Sequence, residues 1–182
     1  MPIYIFMEQN RSNTLSKSRK HRNQEKFDED YKFGIEGEMF SQPHLEKKYG
    51  KLKKTKQFDA VDFYNRNYWI ELKSRRYNHD AFDYCGGLFF NYEKIEKVEY
   101  FNRKRKEIGR KQRKVIFAFN CYDGLYIWNY DGGQYTTGEG GRTDRNCDET
   151  GKVAKVLSKD MILIEKKENP YLKFLFDSDD ED

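Results

Sequence analysis

Nowhere does the sequence hold a run of about 18 or more consecutive apolar residues, so no segment is built to cross a bilayer as a helix. The opening Met1-Pro-Ile-Tyr-Ile-Phe-Met is apolar but short and lacks a basic flank, which excludes a secretory signal and leaves an edge strand or an ordered arm. Cysteine is scarce. Cys85, Cys121 and Cys147 are odd in number and widely spaced, so they form neither a disulfide framework nor a zinc pattern, and a reducing, intracellular setting suits them. Apolar residues make up only 36% of the chain and mean hydropathy is −1.09, so the surface must be heavily charged and the chain ends are expected to be disordered. Net charge is small as well, at +4, although the charges are unevenly placed. No internal repeat is present.

What is abundant is charge, at 36%, and aromatic residues, at 16%, which must supply much of the core volume. The 182 residues suit one domain, expected over residues 31–172, with a basic flexible arm over 1–30 and an acidic tail over 173–182. The arm carries Arg11, Lys17, Arg19, Lys20, Arg22 and Lys26 and has no hydrophobic period. Residues 31–56 hold a first helix with a rough apolar face from Phe33, Ile35, Met39, Phe40, Leu45 and Tyr49. Pro43 is expected to break or restart it, with Ser41 as an N-cap. Lysines 47, 48, 51, 53, 54 and 56 then form a basic run. Residues 80–90, interrupted by Gly86-Gly87, read as irregular or a broken helix, and 91–109 as a helix with Ile95, Val98, Phe101 and Ile108 at helical spacing. Residues 94–114 carry ten basic side chains against three acidic ones, and Arg103, Lys104 and Lys106 lead this nucleic-acid-binding candidate. Val115–Phe119 and Leu125–Tyr130 read as strands turned at Asp123-Gly124, Asp131–Asp148 as a long loop, and Val153–Leu157 with Met161–Ile164 as a closing hairpin or strand pair.

The chemistry concentrates in residues 58–76. Phe58–Tyr64 and Tyr68–Leu72 are aromatic-rich, strand-like runs joined by Asn65-Arg66-Asn67, which suits a tight hairpin. Side chains alternate along a strand, so Glu71 and Lys73 share one face, and Asp62 stands on the neighbouring strand. Two carboxylates are hard oxygen ligands suited to Mg²⁺, and a lysine beside them can position or help deprotonate a metal-bound water. Acid-x-Lys also occurs at Asp30/Lys32, Glu46/Lys48 and Glu165/Lys167, but only at 71 does an aspartate precede the strand at hairpin distance. Asp62 and Asp59 both satisfy that spacing, so either can be the first metal ligand. An ordinary solvated hairpin face is the alternative to a site.

Asp62, followed by Tyr-Trp-Ile-Glu71-Leu-Lys73-Ser-Arg75, resembles the active-site signature of the PD-(D/E)XK nuclease superfamily. Lys94 on a helix, and an apolar strand before Asp123-Gly124-Leu125, are similar to a branch found in phages and large DNA viruses. The resemblance covers roughly residues 31–130 and implies an α/β fold: a central mixed β-sheet flanked by helices, with a restriction-endonuclease-like core. It implies a Mg²⁺-dependent deoxyribonuclease, with Mn²⁺ as a substitute, acting on double-stranded or branched DNA. Asp62 and Glu71 would hold the metal and Lys73 the attacking water. A glutamate on the first helix often completes such sites, and the Gly34-x-x-x-Glu38 spacing selects Glu38 over Glu36. Arg75 and Arg76 would contact phosphate, and His79 is a minor general-base candidate. The same resemblance would set the protein in a host cell's cytoplasm or nucleus, or in a virion, and leaves room for a homodimer. The rival reading keeps the fold and the basic surfaces but not the cleavage, as a binding or virion structural protein.

Overall fold

Residues 24–56, 61–130, 134–140 and 151–168 are described by the computed structural model, those at 24–27 by backbone alone. Asp59, Cys147, the opening residues and the acidic end lie outside the described residues. The elements in chain order are α1 (Gln24–Tyr49), β1 (Lys53–Lys54), β2 (Phe63–Tyr64), β3 (Tyr68–Ser74), β4 (Leu88–Asn91), α2 (Glu93–Glu107), β5 (Lys114–Asn120), β6 (Gly124–Tyr130), β7 (Thr136–Gly140), β8 (Gly151–Val156) and β9 (Ile162–Lys166). Six strands form a mixed sheet in the order β1-β2-β3-β5-β6-β9. Strands β3 and β5 are its parallel pair, joined by the α2 crossover, and run in register from Tyr68↔Lys114 to Ser74↔Asn120. A second sheet of three strands has the order β4-β8-β7. The architecture is α/β with a central mixed sheet.

Alternation along the central strands gives the sheet two buried faces. Ile70 and Leu72 of β3, with Ile116, Ala118 and Ile127, pack against Leu45 of α1. On the opposite face Phe117, Phe119 and Trp128 meet Ile95 and Val98 of α2 and Leu88, Phe90, Ala154 and Val156 of the small sheet. Strands covered on both faces read as continuous apolar runs, which is why β5 and β6 are legible in the sequence.

Several expectations are corrected. Helix α1 begins at Gln24, inside the stretch assigned to the arm, and continues through Pro43. A proline at 43 removes the hydrogen bond to the carbonyl of Met39, and both residues lie on the solvent side, where water can satisfy that carbonyl. Ser41 and Leu45, on either side of the proline, are fully buried, so packing carries the helix across it. Residues 80–90 are irregular up to a single 3₁₀ turn at Asp83–Cys85 rather than a broken helix, and strand β4, which was not expected, follows. Gly86 and Gly87 turn the chain into β4 with φ of 96° and 108°, and a Cβ on Gly87 would lie 2.1 Å from the Val156 carbonyl oxygen. Strand β7 falls inside the stretch expected to be a loop. Strands β8 and β9 stand where two closing strands were expected, but they do not pair with each other and lie in different sheets. Asp83 accepts a hydrogen bond from the Ser158 amide (2.9 Å) and engages its hydroxyl, and the 3₁₀ turn there sends β9 to the other sheet. In α2 the apolar face ends early, since Phe101 and Ile108 are exposed while Ile95 and Val98 are buried. Among the described residues no helix is long and apolar enough to cross a membrane.

Candidate active site

Asn65 builds the turn that sets the site. Its side-chain oxygen accepts hydrogen bonds from the Asn67 and Tyr68 amides, both at 2.9 Å, and its Nδ2 donates to the Tyr49 carbonyl (3.0 Å). The turn fixes the pairing Phe63↔Ile70 and Tyr64↔Trp69. One step further, the Asp62 amide donates to the Ile70 carbonyl (3.0 Å), which brings Asp62 opposite Glu71 and onto the same face. Asp62 Oδ2 accepts the Leu72 amide at 2.7 Å, so its carboxylate is held in place by the strand that carries Glu71.

Glu71 is fully buried. Burial raises its carboxyl pKa above the ordinary glutamate value, Lys73 opposes that, Asp62 adds to it, and Lys94 opposes it again. Lys73 Nζ lies 2.5 Å from Glu71 Oε1, and Lys94 Nζ lies 3.1 Å from Oε1 and 3.2 Å from Oε2. Lys94 comes from the first turn of α2 and reaches the Glu71 face of the sheet. At the margin, Glu38 of α1 pairs with Lys54 of β1 at 2.5 Å, and the Lys54 ammonium is in turn favoured by the Asp62 charge. Glu38 therefore reaches the cluster through Lys54, whereas Glu36 is exposed and lies 3.9 Å from Lys32. Glu38 pairs with Lys54 and Glu71 with Lys73 and Lys94, while Asp62 is held by the Leu72 amide.

Two of these residues take parts that spacing did not assign them. Lys94 was picked out by the resemblance, while spacing counted it with the basic face of its helix, and it faces Glu71. Lys54 appeared only as one member of a lysine run. The glycine that lets α1 approach is Gly37, not Gly34. A Cβ on Gly37 would lie 1.9 Å from Ser74 Oγ and 2.8 Å from Asn120 Nδ2, while nothing lies within 4 Å of one on Gly34.

Other candidates lie elsewhere. Strand β3 ends at Ser74, and Arg75 donates to the Phe89 carbonyl at 2.6 Å. Arg76 pairs with Asp30 at 2.6 Å and lies over the Phe33 ring. His79 stacks on Tyr126 and pairs with Asp123 at 2.6 Å, which places it in a structural contact at the β5–β6 turn. Lys104 pairs with Glu107 at 2.7 Å on the outer surface of α2, and Arg103 lies over Tyr100. Arg113 stacks on Trp69 at 3.9 Å. Beyond it an open groove of about 940 Å³ is lined by Arg103, Lys111, Arg113 and Lys114 with Asn102 and Gln112. That groove is basic, but Asp62, Glu71, Lys73 and Lys94 are not among its lining residues, so cavity size alone does not mark the chemistry.

Asp62 and Glu71 offer oxygen donors only, the kind a hard divalent cation takes. Their charge is met by ammoniums, and among the described residues no three His, Cys, Asp or Glu side chains gather into a metal-ligand group. A cation here would use two carboxylates and keep much of its water shell, as Mg²⁺ commonly does. Comparison with family models, with curated proteins and with solved structures found no match.

Proposed function

We propose that the protein is a metal-dependent nuclease of the PD-(D/E)XK type, with a restriction-endonuclease-like core, that hydrolyses phosphodiester bonds in DNA. The observation that carries this reading is the buried Glu71, faced by Asp62 across the hairpin and gripped by Lys73 and Lys94. A fully buried carboxylate with two lysines is costly to build into a sheet, because desolvation offsets most of the attraction within such a set. Asp62 and Glu71 would hold Mg²⁺ or Mn²⁺, which when bound supplies Lewis-acid stabilisation of phosphate charge and lowers the pKa of a bound water.

The chain's own residues do the rest. Lys73 orients the attacking water by its ammonium. Lys94 holds Glu71 from the other side, so the carboxylate keeps one direction through the reaction. The water oxygen forms a bond to phosphorus, its proton passes to solvent, the bond to the leaving sugar oxygen breaks, and that oxygen takes up a proton. Lys54 pairs with Glu38 and feels the charge of Asp62, balancing charge at the edge of the site.

Incubating the purified chain with linear, circular and branched DNA, and with RNA, in Mg²⁺ and in EDTA tests this. Cleavage of DNA in Mg²⁺ alone is the expected result. Binding to DNA without cleavage under any metal condition would replace it with the non-catalytic reading.

A further inference from the structure

Strands β3 and β5 run parallel and end side by side at Ser74 and Asn120. Past their carboxyl ends lies an open pocket of about 530 Å³, within the size range of small-ligand sites. The carboxyl edge of an open α/β sheet is the common place for such a crevice. Two rings of α1 form one wall: Phe33, which carries Arg76 on its ring, and Phe40, which packs against His44. Asn120 and Tyr122 contribute to the lining, Arg75, Lys166 and Lys167 supply cations, and Glu168 adds one carboxylate.

Lys167 is built into this pocket. Its ammonium donates to Asn120 Oδ1 and to the Cys121 carbonyl (3.3 Å), and lies 4.1 Å from the centre of the Phe40 ring. Burial lowers its pKa, with Cys121 and then Asp123 opposing that. Asp123 is already taken up by His79 and Tyr126. Arg75 is fixed by the Phe89 carbonyl, and its Nε is buried without a hydrogen-bond partner. Two fixed, partly desolvated cations beside aromatic faces match a phosphate joined to a planar base.

We infer that this pocket binds one nucleotide, its phosphate on Lys167 and Arg75 and its base against Phe33 and Phe40. The inference rests on the nuclease reading and deepens it: the pocket seats a nucleotide of the substrate strand at the carboxyl edge of the sheet that carries Glu71. Ser74 lies three residues beyond Glu71, roughly 10 Å along the strand.

The test reads binding rather than cleavage. Deoxyadenosine 5′-monophosphate, deoxyadenosine, inorganic phosphate and a short single-stranded oligonucleotide are titrated separately into the full chain by calorimetry. The monophosphate should bind, and the nucleoside and phosphate should each bind about tenfold more weakly or worse, since each lacks half of the contacts. Lys167→Gln should weaken the monophosphate about tenfold, Lys167→Arg should restore it, and Phe40→Leu should weaken it severalfold. Glu71→Gln should leave it unchanged. The oligonucleotide should compete with the monophosphate, and failure to compete overturns the substrate role. No binding of the monophosphate, equal binding to wild type and Lys167→Gln, or phosphate binding as tightly as the nucleotide each overturns the inference. Monophosphate binding in a chain that cleaves nothing leaves this pocket standing and removes the nuclease reading instead.

Discussion

Glu71 carries opposed electrostatic demands: burial favours its neutral form, while Lys73 and Lys94 favour its charge. Burial is the largest influence, so the folded carboxyl titrates above the unfolded one. A group raised in this way stabilises fully below its unfolded pKa, and that contribution is lost as pH rises through the folded value. The stability of the wild type relative to Glu71→Gln should therefore fall as pH rises from about 4.5 upward, by at most about 1.4 kcal/mol per pH unit for one proton. Urea midpoints of both proteins between pH 4 and 8 measure this, and a difference moving the other way would show that the lysines outweigh burial. The facing of Asp62 comes from a turn one residue longer than Asn65–Asn67, which pairs Tyr64 with Trp69 rather than Tyr68, whereas the shared face of Glu71 and Lys73 was legible in the sequence from the period of two. The role of Lys94 was not. Helical spacing placed it among ten basic residues, and only the packing of Ile95 and Val98 rotates it toward the sheet.

At the scale of elements, α1 is positioned by one close approach. Adding a methyl to Gly37 drives it into Ser74 and Asn120, an overpacking that costs about 1–3 kcal/mol against a helix-propensity gain of at most about 1 kcal/mol. Gly34 meets nothing within 4 Å, so Gly34→Ala should gain up to about 1 kcal/mol. Thermal unfolding of the two variants should thus shift in opposite directions, and a Gly37→Ala protein as stable as wild type would mean that α1 does not lie this close. The hairpin and the two central strands follow from local pattern, whereas the full length of α1 does not, since Pro43 reads as a break and residues 24–30 as an arm. Strands β4 and β7 were hidden, because a four-residue strand after two glycines and a five-residue strand with two glycines carry too little period to read. The parting of β8 from β9 depends on Asp83 capturing Ser158, a contact 75 residues apart that no local pattern encodes.

Over the whole molecule, charge divides between an inner balanced cluster and an outer basic surface. Lys94 is withdrawn from that surface, and Arg113 is committed to Trp69. Lys104 remains part of it, since an exposed pair with Glu107 is weak and screened by salt. Neutralising Arg103, Lys104 and Lys106 together should weaken duplex binding and flatten the slope of log affinity against log salt by roughly one to three units. An unchanged slope would assign DNA contact to another face. The central claim is that the buried acid cluster breaks phosphodiesters. Single-turnover cleavage of DNA in Mg²⁺, run alongside DNA binding for wild type, Glu71→Gln and Lys73→Ala, tests it most directly. The account predicts that both variants lose cleavage by about a hundredfold or more while binding DNA as wild type does, and cleavage at the wild-type rate in either variant would contradict it.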